Sequence, residues 1–314
     1  MKILINSEIT PEQKQQIESI SDTLNIVTPK NSTEALEEIA DTDIVFGGFN
    51  QTLFEKTTQL KWVQVWAAGV DGILFPDFVE SDVVLTSAKG YVGTHLADQA
   101  WALILGLLRG IGRSVRERTW DNKMSIRLAA WELGERTLGL VGLGGTGIEV
   151  ARRAQGFETR VIAVDPESVD APTFVDEVWK MDRFDDLLSQ SDIVCICAPL
   201  TPETECMFND GAFGKMQSHA LLINVTRGKI VDGPALIRAL DEGQIGGAGL
   251  DVTPVEPLPD DNPLWDMPNV IITPHVAGGS PIRMDRTVSL FCDNLERFLV
   301  GKPLLSVIDK RKGY

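Results

Sequence analysis

The second half of the chain puts four ionisable residues where an α/β sheet does its chemistry. Arg227 comes just past the apolar run A-L-L-I-N-V, Asp251 ends the run G-G-A-G-L-D, and His275 follows V-I-I-T-P. Glu256 lies a few residues beyond Asp251, in the loop T-P-V-E-P-L-P. Ligands in open α/β sheets bind beyond the carboxyl ends of the strands, so these side chains converge on one rim. Together they suit proton-coupled hydride transfer, in which a nicotinamide dinucleotide exchanges the hydride and a positioned acid-base group handles the proton on the substrate oxygen. Imidazole titrates near neutrality, which fits His275 to the acid-base role. A Glu256 carboxylate beside it would stabilise the imidazolium and fix its orientation. Arg227 offers a planar fork of N–H donors that grips a carboxylate and polarises the adjacent carbonyl, which selects a 2-oxo or 2-hydroxy acid. Each residue alone has a plainer reading: a turn cap before glycine, a solvated loop carboxylate, a histidine above a core strand. Behind the motif that precedes them in the chain, they read as one site.

That motif is T-L-G-L-V-G-L-G-G-T-G at Thr137–Gly147, followed by a helical stretch and a second apolar run that ends at Asp165. Gly142, Gly144 and Gly147 have the G-x-G-x-x-G spacing directly after a short strand. The first allows a tight turn, the second lets the backbone approach a pyrophosphate, and the third lets the next helix pack closely. A helix beginning near Gly145 turns its free N–H groups and positive dipole end toward the phosphates. Asp165 stands about 20 residues on, where such folds set a carboxylate against the adenine ribose hydroxyls. It would repel a 2′-phosphate, so the expected cofactor is NAD. A carboxylate at a strand end can also be a solvated residue or a helix cap. Further along, the loop P-L-T-P-E-T after D-I-V-C-I-C-A is stiffened by Pro199 and Pro202 and lies at the sheet edge beside the cofactor.

The elements that position these residues alternate throughout. The first hundred residues switch between short β-rich runs (K-I-L-I-N, N-I-V-T-P, D-I-V-F-G-G-F) and polar helical ones, the pattern of a parallel sheet covered by helices. W-V-Q-V-W-A-A-G-V-D then runs a strand into a glycine turn at Gly69 and Val70, whose N–H groups can hold an anion or simply lead to the next helix. The segment from His95 to Gly110 is nearly apolar, but it falls short of the roughly 20 residues of a bilayer span and is interrupted by Asp98, Gln99 and Arg109. It is expected to be a buried helix linking two α/β blocks, with surplus apolar surface for a second subunit.

A length of 314 residues allows two domains. A net charge of −16, from 29 basic and 45 acidic residues, argues against nucleic acid or anionic lipid as partners. Met1 leads straight into a strand-like run with no leader pattern, so a cytoplasmic location is expected. The cysteines form no C-x-x-C pair and the histidines no H-x-x-x-H spacing, so no metal or disulfide is expected.

G-L-G-G-T-G, P-L-T-P-E-T, N-V-T-R-G-K-I-V-D, G-L-D-V-T-P-V-E-P-L-P, T-P-H-V-A-G and the tail G-K-P-L-L-S-V-I-D occur in the order of the signatures of the D-isomer-specific 2-hydroxyacid dehydrogenase family, which the chain resembles over most of its length. The resemblance implies an α/β protein of two Rossmann-like or flavodoxin-like domains with parallel sheets. The substrate domain would be built from 1–96 and 281–314, and a nucleotide domain over 97–280 would be inserted into it and close over the ligand. It implies that Arg227 binds the substrate carboxylate and carbonyl, that Glu256 partners the histidine, and that His275 is the acid-base. The backbone at Gly69 and Val70 would hold the substrate carboxylate. NAD would lie on Gly142, Gly144, Gly145, Thr146, Gly147, Asp165, Pro199 and Thr226, with Thr204 toward its phosphates and Asp251 toward the nicotinamide. Many relatives have an aliphatic residue at Thr146 and Ala or Ser at Thr226. The entry G-Y-V-G-T-H-L-A-D-Q is unlike that of the best-known members, and with Trp66 it is expected to line the substrate side, so specificity does not carry over. The fold also serves nucleotide-sensing corepressors, which makes a binding module the alternative to an NAD-dependent, homodimeric dehydrogenase of a 2-oxo or D-2-hydroxy acid. The intact Arg, Glu and His favour the enzyme.

Overall fold

Short β-branched runs between polar helical stretches become parallel strands in both parts of the chain. The computed structural model describes all 314 residues, which form two compact units, Met1–Val92 with Ser280–Tyr314 and Gly93–Gly279.

In the first unit, β1 (Lys2–Asn6), β2 (Asn25–Val27), β3 (Ile44–Gly47), β4 (Trp62–Gln64) and β5 (Val84–Thr86) make a parallel sheet in the order β2-β1-β3-β4-β5. Helices cover both faces, which is why the strands read as continuous apolar runs. On one face Phe46 and Trp62 stack on Phe291 of the helix Arg283–Leu299, with ring centroids 4.6 and 5.1 Å apart. On the other, Leu4, Val45 and Val63 pack with Phe49, Phe54, Phe75 and Phe78. A buried polar chain ties the C-terminal segment to this sheet. Trp62 Nε1 donates to Thr86 Oγ1 at 2.8 Å, and Thr86 Oγ1 donates to Gln64 Oε1 at 3.1 Å. Asn294 Nδ2 donates to the same Gln64 oxygen at 3.0 Å and to the Leu305 carbonyl at 3.1 Å, while the Leu305 N–H donates to Asn294 Oδ1 at 2.7 Å.

In the second unit, β6 (Thr137–Val141), β7 (Arg160–Val164), β8 (Glu177–Trp179), β9 (Ile193–Ile196), β10 (Leu221–Asn224), β11 (Gly247–Leu250) and β12 (Val270–Ile272) form a parallel sheet in the order β12-β11-β10-β9-β6-β7-β8. The chain builds outward from β6 to β8, then crosses to β9 on the other side of β6. That reversal opens a crevice at the strands' carboxyl ends, the usual ligand position of a doubly wound sheet.

The apolar helix Gly93–Leu108 belongs wholly to this second unit. Ala97, Ala100, Trp101, Leu103 and Ile104 are buried in its core, the Trp101 ring stacks on Phe157 at 4.6 Å, and Trp101 Nε1 donates to the Val150 carbonyl at 3.0 Å. A Cβ on Gly93 would come within 2.5 Å of the Gly145 carbonyl, so the first turn already lies against the glycine turn. The units therefore divide at Val92 and Gly279, a few residues from the expected crossings. Most of the apolar side chains of this helix pack within the unit. Large exposed apolar side chains appear in the short helices that follow and the connection between them, at Ile111, Val115, Trp120, Met124 and Leu128. No helix is long and apolar enough to cross a membrane.

Asn294→Ala would strand the Leu305 N–H and remove one donor to buried Gln64. Such losses cost about 3 kcal/mol together, read as a lower denaturant midpoint in equilibrium unfolding.

Candidate active site

Gly142 opens the turn after β6 with φ +96°, a left-handed conformation, and a Cβ there would meet the Ala198 nitrogen at 2.9 Å. On Gly147 a Cβ would come 2.2 Å from the Gly142 carbonyl, so the helix Gly145–Ala154 reaches the strand only because position 147 lacks a side chain. Gly144 is different: a Cβ there would meet nothing within 4 Å, and its φ of −79° suits any residue. The protein does not require a glycine at 144, whereas a pyrophosphate approaching the backbone does. No side chain caps this helix, which leaves its first N–H groups for an anion. Thr146 stands half-buried in the first turn.

Asp165 directly follows β7. Its Oδ2 accepts from the Leu143 N–H of the glycine turn at 2.8 Å, and its Oδ1 accepts from the Glu167 N–H at 2.9 Å. The carboxylate is buried, so it is neither a solvated residue nor a helix cap. In the loop after β9, Thr204 Oγ1 donates to the Pro199 carbonyl at 2.8 Å and accepts from the Thr201 N–H at 2.8 Å, so its hydroxyl shapes the loop itself.

After β10, Asn224 organises the next turn. Its Oδ1 accepts from the Thr226 N–H at 3.1 Å, and its Nδ2 donates to the Arg227 carbonyl at 2.9 Å. One Arg227 guanidinium nitrogen donates to the Thr226 carbonyl at 2.9 Å. A Cβ on Gly228 would fall 1.8 Å from the Thr253 carbonyl, so the Arg227 turn and the loop carrying Glu256 touch backbone to backbone.

Glu256 and His275 meet directly: His275 Nδ1 lies 2.8 Å from Glu256 Oε2, while Glu256 Oε1 accepts from the Thr253 N–H at 3.1 Å. Both carboxylate oxygens are thus engaged, which fixes the imidazole on one edge and leaves Nε2 as its outward nitrogen. The His275 ring is about half exposed. Asp251 directly follows β11 and is 1% exposed. Its Oδ1 accepts from Thr273 Oγ1 at 2.6 Å and from the Val276 N–H at 3.0 Å, and its Oδ2 accepts from the Ala277 N–H at 2.8 Å. Gly69 and Val70 belong to the other unit, in the turn after β4, where the Ala88 N–H donates to the Ala67 carbonyl at 2.9 Å.

The second unit therefore collects the glycine turn, Asp165, Arg227, Glu256 and His275 at the carboxyl ends of its strands. Asn224, Thr253 and Thr273 support the site but carry no sequence signal beyond being polar at the end of an apolar run. No group of His, Cys, Asp or Glu side chains is arranged to hold a metal ion.

A doubly wound sheet with a phosphate-type glycine turn and a His–Glu pair and arginine at strand ends defines a dinucleotide-dependent oxidoreductase. Residues 101–277 match the D-isomer specific 2-hydroxyacid dehydrogenase NAD binding domain. The chain belongs to the D-isomer specific 2-hydroxyacid dehydrogenase family. It is 34% identical over 283 residues to a glyoxylate reductase of Korarchaeum cryptofilum, covering 87% of this chain and 85% of that one. A solved D-isomer specific 2-hydroxyacid dehydrogenase from Xanthobacter autotrophicus, in complex with NADPH and MES, superposes with TM-score 0.85 at 27% identity over 100% of this chain and 99% of that one. A solved NADPH-dependent glyoxylate/hydroxypyruvate reductase from Sinorhizobium meliloti, in complex with NADP and sulfate, gives 0.84 at 27% identity, covering 100% and 99%.

Gly144→Val separates the turn's fold from its use. The melting temperature is expected to stay within about 2 °C, since the side chain enters open space. Affinity for NADH or NADPH is expected to fall at least about tenfold in a fluorescence titration, because the side chain takes the place of the phosphate.

Proposed function

We propose that the protein is an NAD-dependent dehydrogenase that interconverts a small 2-oxo acid and its D-2-hydroxy acid, with His275 as acid-base, Glu256 as its partner and Arg227 on the substrate carboxylate and carbonyl. The observation that carries this reading is the 2.8 Å contact between His275 and Glu256 at strand ends shared with Arg227 and the glycine turn. When bound, the nicotinamide supplies or accepts the hydride at C2 of the acid. Glu256 holds the imidazole through Nδ1, so Nε2 gives the proton to the C2 oxygen in reduction and takes it back in oxidation. Arg227 grips the substrate carboxylate through its fork of donors and polarises the carbonyl that receives the hydride. The backbone at Gly69 and Val70, in the unit formed by both chain ends, is assigned to binding a substrate carboxylate. The central unit is assigned to the cofactor.

The preference for NAD rests on charge. Asp165 and Glu167 stand together at the end of β7, where an adenine ribose would lie, and both repel a 2′-phosphate. Lys180 sits at the same turn, but its ammonium donates to the Pro166 carbonyl at 3.0 Å and to Ser168 Oγ at 3.2 Å. The two solved relatives described above bind NADPH or NADP. In this reading the carboxylates reverse that choice.

We also assign the homodimer contact to residues 109–127. This stretch exposes Ile111, Val115, Trp120 (86% exposed) and Met124, and it carries six basic residues against Glu117 and Asp121 in a chain of net charge −16. A second copy, meeting this stretch with its own, would bury these apolar side chains. In multi-angle light scattering the wild type is expected at twice the mass of the chain, and Val115→Glu at the monomer mass. A monomeric wild type would overturn the assignment.

A panel of glyoxylate, pyruvate, hydroxypyruvate and bulkier 2-oxo acids, followed by absorbance with NADH and with NADPH, tests the activity. At least one acid is expected to be reduced, with kcat/KM at least about tenfold higher for NADH, the size of one unfavourable charge contact. His275→Ala is expected to lose turnover by about 1,000-fold with NADH affinity unchanged. Tight NADH binding without oxidation by any acid would instead make the protein a nucleotide-sensing module.

A further inference from the structure

His275 has φ +53°, in the left-handed region that a non-glycine residue occupies only where its surroundings over-determine it. Much of what holds it comes from one residue. The Asp251 carbonyl accepts the His275 N–H at 2.8 Å, and the Asp251 carboxylate accepts the N–H groups of Val276 at 3.0 Å and Ala277 at 2.8 Å. Thr273, two residues before the histidine, donates its hydroxyl to the same carboxylate at 2.6 Å. The His275 backbone is therefore pinned on both sides by a single buried acid.

The directions of these bonds follow one from another. Thr273 spends its one hydroxyl proton on Asp251 Oδ1, so its remaining lone pairs can only accept. Gln99 supplies the donor through Nε2 at 2.9 Å, which also fixes which way its amide points. Gln99 lies on the helix Gly93–Leu108, 174 residues away in sequence. A directed chain thus runs from that helix through Thr273 and Asp251 into the backbone of His275, and from its ring to Glu256.

We infer that Gln99, Thr273 and Asp251 are positioning residues that hold His275 left-handed and so aim its imidazole for proton transfer. The inference rests on the acid-base role proposed for His275. It adds a second task to the nicotinamide contact implied by the family resemblance, since Asp251 Oδ2 accepts only the Ala277 N–H and keeps an acceptor site of its own. Such positioning matters because a displacement of about 1 Å from productive geometry can cost about 100-fold in rate.

The test uses Thr273→Val, which keeps the side chain's shape and removes the hydroxyl, with Thr273→Ser as the rescue and Gln99→Leu as the remote break. Thr273→Val is expected to lower kcat by roughly 10- to 100-fold, with KM for the 2-oxo acid and the NADH dissociation constant changed by less than about threefold. Thr273→Ser is expected to recover kcat to within about threefold, and Gln99→Leu to lower it by about fivefold, the size of one hydrogen bond. Independently of activity, amide hydrogen exchange over 273–279 is expected to accelerate at least about tenfold in Thr273→Val as the clamp loosens. Unchanged kcat in Thr273→Val, or unchanged exchange, overturns the inference. Failure of serine to restore kcat when the melting temperature is normal overturns it as well. A wild type that reduces no 2-oxo acid overturns the acid-base reading instead, and the exchange data then still decide whether the clamp exists.

Discussion

A parallel sheet covered on both faces has no interior position to spare for a polar group that must meet a ligand. Every side chain along β6, β9 and β10 of the central unit is buried, so reactive groups have to appear where the strands end. Asp165, Arg227, Asp251 and His275 all follow strands for this reason, and their distances from one another are set by strand spacing and by the loops just beyond. The glycine turn obeys the same constraint from the other side: the helix can reach the strand end only because Gly147 gives way to the Gly142 carbonyl.

The charged groups at that rim are held by backbone as much as by side chains. Asp165 binds the glycine turn, so the carboxylate proposed for the ribose also fixes the loop proposed for the pyrophosphate. Asn224 does the equivalent for Arg227, and Thr253 for Glu256. In each case a short-range bond involving a main-chain group fixes the charged residue or the turn that carries it. Fixed supports of this kind lower the reorganisation needed when charge develops in a reaction.

What could be read from the sequence follows from how local each feature is. The glycine spacing, the carboxylate after β7 and the residues after apolar runs are patterns within a few residues, and they were legible. Gln99 and Asn224 were not, because their meaning depends on which strand ends lie side by side, and a single polar residue in an apolar stretch has many uses. The helix Gly93–Leu108 poses a related difficulty. Its apolar content is nearly continuous, and periodicity alone does not say whether the surplus meets its own unit or another chain. It meets Val150, Phe157 and the strands of its own unit. The exposed apolar residues at 111–128 were hidden among charges, where no run is long enough to attract notice.

The contact between Asn294 and Gln64 joins residues 230 positions apart, across the whole of the central unit. A nascent chain leaving the ribosome presents β1 to β5 first, but the helix that covers one face of their sheet and the Leu305 segment arrive last. The central unit, contiguous in sequence, can reach its native packing while those strands still lack their cover. Synthesis therefore leaves Phe46 and Trp62 exposed for the time it takes to translate more than two hundred residues. During that interval the face of the N-terminal sheet that carries Phe46 and Trp62 lacks its native cover, the helix Arg283–Leu299.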